Sequence, residues 1–472
     1  MSQNKATAQI INSTGVQIKN AIIEGKISAK DVVDEMKEKR EDTNPTINAW
    51  ISHDDDLAYQ QAEKIDEWVK KGDVDRFPLL GIPIAIGERI KVKGLSDTLG
   101  STLWDERVAQ EDANEIERLK TAGAIIIGKT SCSEFCLTPS NTNDVIGSTL
   151  NPSNTEISLG GAEAGAAAAV ASHMSPIALA IDGVGSLRLP CSDCGVLGFK
   201  PTRGIIPIVR SRHVPFSHRF FSQIGPITRN IDDMLLTLDV LSQYDCRDPF
   251  CVGHESRLNT EIQQGSSSTL SIGWSIDLGF AKVSDLAKER FFSLLSEIKM
   301  QGYPLKQSGI FIDHTILNHF ANIHYVDNFT AILTALEESK GKRERLSETT
   351  NEWIEKGKHI KGTEYSIALS HFNWLEMVID QYFESVDLLL LPPTILCPDE
   401  RNQENEEFLS HFDLWSLLLP FNLTGHPSLC FTLGHTPEGI PISIQCVGKK
   451  FQDRALLEFA HLLQKNILKM TG

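Results

Sequence analysis

Short, wholly apolar segments alternate with helix-like segments early in the chain, and this alternation constrains the fold most. Leu80–Ile86 and Ala124–Ile127 are apolar and strand-like, whereas Asn114–Thr121 between them has the pattern of a helix closed by Gly123. A strand without polar positions needs cover on both of its faces. The sequence therefore predicts an α/β fold whose largely parallel core sheet is covered on both faces.

We expect the 472 residues to form one large domain, because no long linker and no internal repeat interrupts the chain. A helical N-terminal part is predicted at 1–75 and the core of the fold at 76–275. A looser helical lobe is predicted at 276–385, and 386–472 is expected to return to the core. A chain of this length buries roughly three quarters of its unfolded surface, so it needs no disulfide or metal to fold.

Two local patterns predict a helix end and a close helix contact. Ser28 and Asp31 resemble a capping box that opens a helix at 29–41, which Asn44-Pro45 should end. Gly160–Val170 is rich in glycine and alanine. Such small side chains would let a helix lie very close to its neighbours.

The acidic balance of the chain limits its partners. With 45 basic and 62 acidic residues, the formal net charge is −17. Phosphate groups and anionic membranes attract basic surfaces, so we expect neither a general nucleic-acid-binding protein nor a membrane-surface protein. The apolar run at 386–391 is far shorter than the ~20 residues of a membrane span. The N-terminal residues include no apolar stretch of signal length, and a cytoplasmic protein is expected.

The cysteines do not indicate a metal site. There are nine, an odd number that favours a reducing compartment over a disulfide framework. Cys132/Cys136 and Cys191/Cys194 are spaced like metal ligands, but a four-thiolate zinc site would require the two pairs to converge. Buried free thiols are the commoner outcome, so we expect no metal and no cofactor.

The segment Gly123–Thr130 satisfies the nucleotide-binding pattern G-x-x-x-x-G-K-[ST]. A phosphate-binding loop needs its four intervening residues in a turn whose amides face the ligand. Here those four residues are themselves the apolar strand. Nucleotide binding is therefore not expected.

A series of short motifs follows in a fixed order from about residue 20 to the C-terminal region. The densest runs from Asp182 through Gly185–Pro190 to Gly198–Thr202. The others are Gly81–Ile86, Val92–Leu95, Ala122–Ala124, Gly128–Thr130, Asn151-Pro152, Gly160-Gly161, Gly225–Arg229 and Asn422–Pro427. Together they resemble the amidase signature family over nearly the whole chain. This resemblance implies an α/β fold with a large mixed, twisted β-sheet sandwiched between α-helices.

The resemblance also implies amide hydrolysis or amide transfer by a Ser–Ser–Lys triad. One serine attacks the carbonyl carbon, a second relays its proton, and a neutral lysine is the final base. The nucleophile position is Ser186, but the relay position is Ala162 and the lysine position is Gly87. A hydroxyl is a poor nucleophile unless a neighbouring group accepts its proton. Two of the three groups that this chemistry needs are therefore missing.

The turn before Ser186 is the expected oxyanion site, because a developing oxyanion needs donors that are already in place. The resemblance assigns these donors to the backbone of Gly183, Val184 and Gly185. Val184 stands where the family has glycine, and a β-branched residue does not readily adopt a positive φ. Asp182 and Arg188 flank the turn, and we expect them to hold it by hydrogen bonds and an ion pair.

Another residue could replace the missing base. Glu163 is the best local candidate; the competing interpretation is an acid in the first turn of a helix, favoured by the helix dipole. A second set of residues could bind substrate or supply a base, or form a solvated loop: Arg210, Arg212, His213 and His218. The lost lysine is expected to leave a polar space beside Gly87, filled by water or by a ligand.

Three functions remain open, and the missing triad groups favour the first. It is a pseudoamidase or repurposed relative that keeps Ser186 and a small-molecule pocket, with ordinary amidase activity absent or very weak. The second is an active amide or ester hydrolase or acyl transferase in which Ser186 works with an unusual base such as Glu163. The third is a glutaminase-type amidotransferase subunit with partner subunits. A small-molecule ligand is expected throughout, and a protein partner or homodimer stays open.

Overall fold

The computed structural model describes residues 10–104, 107–157, 159–209, 214–252, 270–401 and 412–471. The strands in these ranges are β1 (Trp50–Ser52), β2 (Pro83–Gly87), β3 (Ile125–Thr130), β4 (Thr142–Asn143), β5 (Gly147–Ser148), β6 (Ile177–Asp182), β7 (Leu197–Lys200), β8 (Gln223–Thr228), β9 (Ile272–Trp274), β10 (Leu305–Gln307), β11 (Leu388–Leu391), β12 (Ser428–His435) and β13 (Pro441–Gly448).

The α-helices include long helices in the segment between β9 and β11. In chain order they are α1 (Gly15–Ile23), α2 (Ala29–Ile47), α3 (Asp55–Lys70), α4 (Asn114–Thr121), α5 (Ala164–Ala171), α6 (Arg188–Cys194), α7 (Phe216–Phe220), α8 (Ile231–Leu241), α9 (Asp285–Met300), α10 (Thr315–Glu338), α11 (Glu348–His359), α12 (Gly362–Tyr382), α13 (Pro420–Leu423) and α14 (Asp453–Thr471). In the described ranges no helix is both long and apolar enough to cross a membrane.

Most of the strands form one mixed sheet. Its order is β1-β3-β2-β6-β8-β7-β12-β13-β11-β9-β10, and β4 pairs with β5 separately. Pairing is parallel within β3-β2-β6 and within β11-β9-β10. The other neighbours are antiparallel. The mixed sheet implied by the family resemblance is confirmed, whereas the expectation of a largely parallel sheet is wrong.

Strand–helix alternation, from which a parallel sheet was expected, occurs in only part of the chain. It is clear for β2, α4 and β3, which form a parallel unit. Farther along the chain, β12 and β13 follow one another as an antiparallel hairpin, and β7 and β8 also pair antiparallel. These antiparallel strands are also mostly buried, like the parallel ones. Apolar composition therefore reports burial and not strand direction.

The two faces of the central strands carry side chains of different size. Ile84 and Ile86 of β2 lie in one hydrophobic core, together with Leu179 of β6. Ala85 of β2 lies in another, with alanines of α5, so large and small side chains alternate along the strand. The helix α5 is buried at every position from 164 to 170. The alanine face therefore lets α5 lie close to the sheet, as the small-residue segment predicted.

The helix that begins after Ser28 confirms its start signal and contradicts its stop signal. The Ser28 side chain accepts a hydrogen bond from the Asp31 amide, and the Asp31 carboxylate accepts one from the Ser28 amide. The helix does not end at Asn44-Pro45 but continues to Ile47, which is buried. Proline removes only one backbone donor there, and the Asn48 amide still donates to the Asn44 carbonyl at 2.7 Å.

The nucleotide-binding pattern at 123–130 is a buried strand, β3, as expected from its apolar residues. Its Lys129 is fully buried and pairs with Glu88 at 3.1 Å. The same ammonium group donates hydrogen bonds to the backbone carbonyls of Glu88 and Ser96. The lysine therefore ties β3 to the segment after β2, in a role that differs from phosphate binding.

A glycine of α5 tests how tightly this helix lies on the sheet. A Cβ at Gly165 would lie 2.5 Å from the amide nitrogen of Ser131 and 2.6 Å from the carbonyl oxygen of Ala49. We expect Gly165→Ala to destabilise the protein by about 1–3 kcal/mol, although alanine is the better helix former. Gly362→Ala, at the open start of α12, is the control and should be neutral or slightly stabilising. Urea-induced unfolding of both variants measures the difference, and equal effects would contradict the close approach.

Candidate active site

The nucleophile candidate lies in a tight turn between the end of β6 and the start of α6. Asp182 is the last residue of β6, and its carboxylate accepts a hydrogen bond from the Gly185 amide at 2.6 Å. Gly185 has φ of 102°, a conformation that favours glycine. A Cβ at Gly185 would lie 2.6 Å from Leu418, which is a second reason for glycine there. These contacts place Ser186 at the end of the turn, two residues before α6 begins.

A buried ion pair holds this turn as expected. The Arg188 Nε lies 2.7 Å from the Asp182 carboxylate, and both side chains are 0% exposed. The guanidinium also donates to Gln445, Ser428 and the Leu418 carbonyl. Burial alone would raise the pKa of Asp182, but the Arg188 charge and hydrogen bonds hold it below its ordinary value. Asp182 is therefore an ionised structural group at neutral pH.

Two backbone amides of the turn are available to an oxyanion. Within the described residues, the amides of Val184 and Ser186 have no hydrogen-bond acceptor. The Gly183 amide faces the Ser186 Oγ at 3.4 Å. Val184 is not among the residues with positive φ, so its branched side chain fits the turn without backbone strain. The restriction expected at Val184 is therefore absent, and the turn still presents donors.

Ser186 is 3% exposed, and its hydroxyl donates to the Ile181 carbonyl at 2.9 Å. The backbone carbonyl of Ser186 accepts a hydrogen bond of 3.4 Å from the Glu163 amide. The segment before α5 thus lies directly against the nucleophile turn. Rotation of the hydroxyl away from Ile181 would free it for attack on a substrate.

The space expected beside Gly87 is occupied by protein. A Cβ at Gly87 would lie 2.5 Å from the Oε2 atom of Glu163. The Glu163 carboxylate therefore fills the region where a side chain from position 87 would begin. The expectation of a space filled by water or a ligand is wrong, because a carboxylate from the neighbouring segment has taken it.

Glu163 does not act as a helix cap. It precedes α5, but its side chain makes no capping hydrogen bond to this described helix. It is 0% exposed, and within the described residues its Oε2 atom has no hydrogen-bond partner. Burial raises the pKa of Glu163 to about 7, opposed by the positive charges of Arg89 and Lys129. A carboxyl group with this pKa can accept a proton near neutral pH and release it again.

Cys136 contacts this carboxylate and lines the cavity that Ser186 also lines. Its thiol donates to the Glu163 Oε1 atom at 3.8 Å. Cys132, Cys136 and Ala162 pack together as a small cluster of their own. A thiol thus lies against the position where the family has its relay serine. Sequence reasoning expected Cys132 and Cys136 to be buried free thiols, not metal ligands, and missed this contact.

A narrow cavity opens over the turn. Its volume is about 30 Å³, enough for about two water molecules. Its lining residues are Arg89, Phe135, Cys136, Gly183, Val184, Ser186, Ser217, His218, Phe221, Ser222, Phe320, His324 and Asn328. Within the described residues, Arg89 has no ion pair or hydrogen bond. The cavity therefore offers an uncommitted guanidinium beside a serine hydroxyl.

The predicted substrate-binding set is only partly placed. His218 lines the cavity, whereas Arg210, Arg212 and His213 lie outside the described residues. His324 lines the cavity too and was not anticipated, since nothing in the pattern of α10 distinguishes it from a core residue. It stacks on Phe320 with ring centroids 4.9 Å apart, and burial holds its pKa well below the ordinary value. His324 is therefore neutral at physiological pH.

No metal centre accompanies these groups in the described part of the chain, where no three His, Cys, Asp or Glu side chains are placed to hold an ion. All nine cysteines are free thiols, and seven of them are buried. Burial raises the pKa of Cys191 and of Cys194 well above the ordinary thiol value. Such thiols remain protonated and behave as small apolar side chains.

Comparisons with known proteins agree with the motifs. The family model named Amidase matches residues 31–457. Solved structures of this fold include a 6-aminohexanoate cyclic dimer hydrolase complexed with substrate, at 23% identity and a TM-score of 0.84, covering 97% of both chains. A bacterial aryl acylamidase of the amidase signature family aligns with a TM-score of 0.86 at 21% identity, covering 96% of both chains. At these identities the structures show the fold alone.

Named relatives align with nearly the whole chain. A glutamyl-tRNA(Gln) amidotransferase subunit from Natranaerobius thermophilus is 28% identical, covering 96% of this chain and 95% of the relative. The protein of the same name from Methanococcoides burtonii is 30% identical, covering 84% of this chain and 87% of the relative. These relatives are named as subunits of an amidotransferase.

The relatives contradict the favoured expectation of a pseudoamidase. Similarity to named amidotransferase subunits extends along the full length of the chain and is not limited to a retained scaffold. Matching the triad positions to the family motif shows that the lysine is absent at Gly87 and the hydroxyl is absent at Ala162. It does not register a carboxylate or thiol that reaches the same space from Glu163 or Cys136. The triad positions alone were therefore a poor guide to function.

The raised pKa of Glu163 makes a prediction about stability. In the unfolded chain this carboxyl has an ordinary pKa near 4.5, and in the folded protein about 7. Between these values the folded state binds more protons than the unfolded state, so its stability falls as the pH rises. Glu163→Gln cannot ionise and escapes this loss. We expect the variant to gain about 2.5 kcal/mol relative to the native chain between pH 5 and pH 8.

Urea-induced unfolding of both proteins at the two pH values measures this gain. The glutamine amide also adds a pH-independent cost or benefit, so only the change between pH 5 and pH 8 is diagnostic. A stability difference that stays the same at both pH values would mean that the Glu163 carboxyl titrates in the ordinary range.

Proposed function

The chain belongs to the amidase signature family, and we propose that it is the glutaminase-type subunit of an amidotransferase, releasing ammonia from a carboxamide at Ser186. The single observation that carries the chemistry is the arrangement around Ser186: a hydroxyl, two amides without acceptors among the described residues, and a narrow cavity. The named relatives support the assignment to amide transfer.

The proposed first step is attack of the Ser186 hydroxyl on the carboxamide carbon. The amides of Val184 and Ser186 would then hold the oxyanion, because such preplaced donors stabilise charge that develops during the reaction. Glu163 is the final proton acceptor, because its pKa of about 7 lets it take up a proton near neutral pH. Asp182 stays ionised against Arg188 and holds the turn.

Arg89 supports a substrate that carries a carboxylate. Its guanidinium is half-buried in the cavity wall, and its Nη1 lies 3.9 Å from the position of a Cβ on Gly183. Guanidinium groups bind carboxylates with two parallel hydrogen bonds. Glutamine carries a carboxamide for Ser186 and a carboxylate for Arg89, and the cavity of about 30 Å³ must widen to admit it.

Partner subunits are part of the proposal. The relatives are named as one subunit of a glutamyl-tRNA(Gln) amidotransferase. This chain has a net charge of −17, which is unsuited to holding RNA by itself. We therefore assign RNA binding to partners and amide hydrolysis to this chain, which we take to be a single domain of the cytoplasm.

Ammonia release from L-glutamine tests the function, with the chain alone and with its copurifying partners. We expect Ser186→Ala to reduce turnover by about 10⁴-fold or more, because the nucleophile acts as a unit with its base. Ser192→Ala, a buried serine of α6 whose hydroxyl bonds the Leu189 carbonyl, is the control and should retain full activity. The native kcat/KM should rise with pH up to about 7, as Glu163 loses its proton. Unchanged turnover in Ser186→Ala would refute the proposal.

Substrate choice tests the role of Arg89. We expect Arg89→Met to raise the KM for glutamine by about 10- to 100-fold, the value of a charged hydrogen-bonded pair. The same variant should leave the KM for butyramide nearly unchanged, because this amide has no carboxylate. Steady-state rates on the two amides measure the difference. An equal rise in KM for both substrates would place Arg89 outside substrate recognition, whatever its effect on kcat through the charge it places near Glu163.

A further inference from the structure

We propose that Cys136 relays the proton between Ser186 and Glu163, in place of the serine hydroxyl that the chain lacks at Ala162. This inference rests on the function proposed above. It adds a group that the family's triad does not contain. The observation behind it is that one residue lines the cavity of the nucleophile and donates its thiol to the buried carboxylate.

The geometry separates the base from the cavity. Glu163 is not among the residues that line the cavity, although its backbone bonds to that of Ser186. Its carboxylate points instead toward Gly87 and Cys136. A proton that leaves Ser186 therefore needs a carrier to reach Glu163. Within the described residues, Cys136 is the side chain that both lines the cavity and bonds the carboxylate.

The electrostatic state of the thiol suits a relay. Burial raises the pKa of Cys136, so the thiol is protonated and neutral at physiological pH. A neutral thiol can donate its own proton while its sulfur accepts another, although both interactions are weak. Among the described residues Oε2 of Glu163 has no partner and the side chain is 0% exposed, so this carboxylate is not consumed by structural contacts.

The proton path balances in both directions. As the Ser186 Oγ forms its bond to the carboxamide carbon, its O–H bond breaks and the proton passes to the Cys136 sulfur. The thiol's original proton passes to Oε1 of Glu163, so Cys136 ends as a neutral thiol and Glu163 as a neutral acid. When the C–N bond breaks, the same path returns a proton to the leaving nitrogen, which departs as ammonia. Water then repeats the sequence to release the acid product.

His324 is a weaker candidate for the relay. Its Nε2 has no hydrogen-bond partner within the described residues, and the residue lines the same cavity. However, no hydrogen bond in the described part of the chain joins it to Glu163, and its low pKa makes it a poor proton acceptor. Its ring is also held by stacking on Phe320. The path through Cys136 is favoured because its hydrogen bond to Glu163 is present in the structure.

The test measures the reactivity of Ser186 directly, so it does not depend on knowing the substrate. The rate of labelling by a fluorophosphonate is followed by intact mass and peptide mapping, in parallel with ammonia release from glutamine. We expect Cys136→Ala to slow both by about 10²- to 10⁴-fold, and Cys136→Ser to restore them to within about tenfold, because a hydroxyl also relays protons. Cys446→Ala, at a buried free thiol of β13 that does not line the cavity, is the control and should stay within about threefold of the native rate.

A structural role of Cys136 is separated from a relay by two further readouts. Cys136→Val keeps the apolar volume but carries no proton, and it replaces the alanine variant if that variant fails to fold. The double variant Cys136→Ala with Glu163→Gln should be no slower than either single variant, because groups on one proton path are not additive. Additive losses would overturn the relay.

The remaining outcomes distinguish the inference from the function on which it rests. If native Ser186 is not labelled and glutamine is not hydrolysed, both the proposed function and the relay fall. If Ser186 is labelled equally fast in the native chain and in Cys136→Ala, only the relay falls. If Cys136→Ser is as slow as Cys136→Ala, a structural role of the thiol replaces the relay.

Discussion

The buried ion pair between Asp182 and Arg188 is the interaction on which the rest of the site depends. Two charges removed from water are costly unless each finds a partner and further hydrogen bonds. Here the Asp182 carboxylate also accepts from the Gly185 amide and the Asn422 side chain. The Arg188 guanidinium reaches β12 and β13 through Ser428 and Gln445. One network therefore joins the nucleophile turn to the C-terminal part of the sheet.

Two buried carboxyl groups near the nucleophile turn have pKa values that are shifted in opposite directions. Asp182 and Glu163 are both buried, yet the pKa of Asp182 is lowered and that of Glu163 is raised. The difference is the partner: Asp182 has a guanidinium in direct contact, whereas Glu163 receives a weak thiol donor. Pairs of acids whose pKa values are pushed apart commonly divide structural and proton-transfer roles. Here the ionised acid holds the turn, and the acid poised near neutrality is free to exchange a proton.

Much of the fold could be predicted from the sequence, because local signals decide it. The capping box at Ser28, the helix Asn114–Thr121 and the buried apolar strands all follow from residue pattern. Strand direction could not be predicted, since an apolar strand looks the same in parallel and antiparallel pairs. The stop at Pro45 failed because burial of Ile47 outweighed one lost hydrogen bond.

The site could be predicted from the sequence only where the residues that form it are neighbours in the chain. Ser186, Asp182 and Arg188 are neighbours in sequence, and their roles in the turn follow from their order. The contact of Glu163 with the space beside Gly87 joins segments 76 residues apart, and only the fold creates it. Cys136 comes from a third segment and carries no sequence signal for its contact. The sequence therefore showed that two triad residues are missing, but it did not show which side chains lie near their positions.

The contact between Gly87 and Glu163 also limits the mutational routes open to this protein. Because a Cβ at position 87 would meet the Glu163 carboxylate at 2.5 Å, any larger residue there must displace a buried acid. A lysine could enter position 87 only if residue 163 changed or moved as well. The side chain at position 87 and the placement of the Glu163 carboxylate are therefore coupled, because the two would occupy the same space.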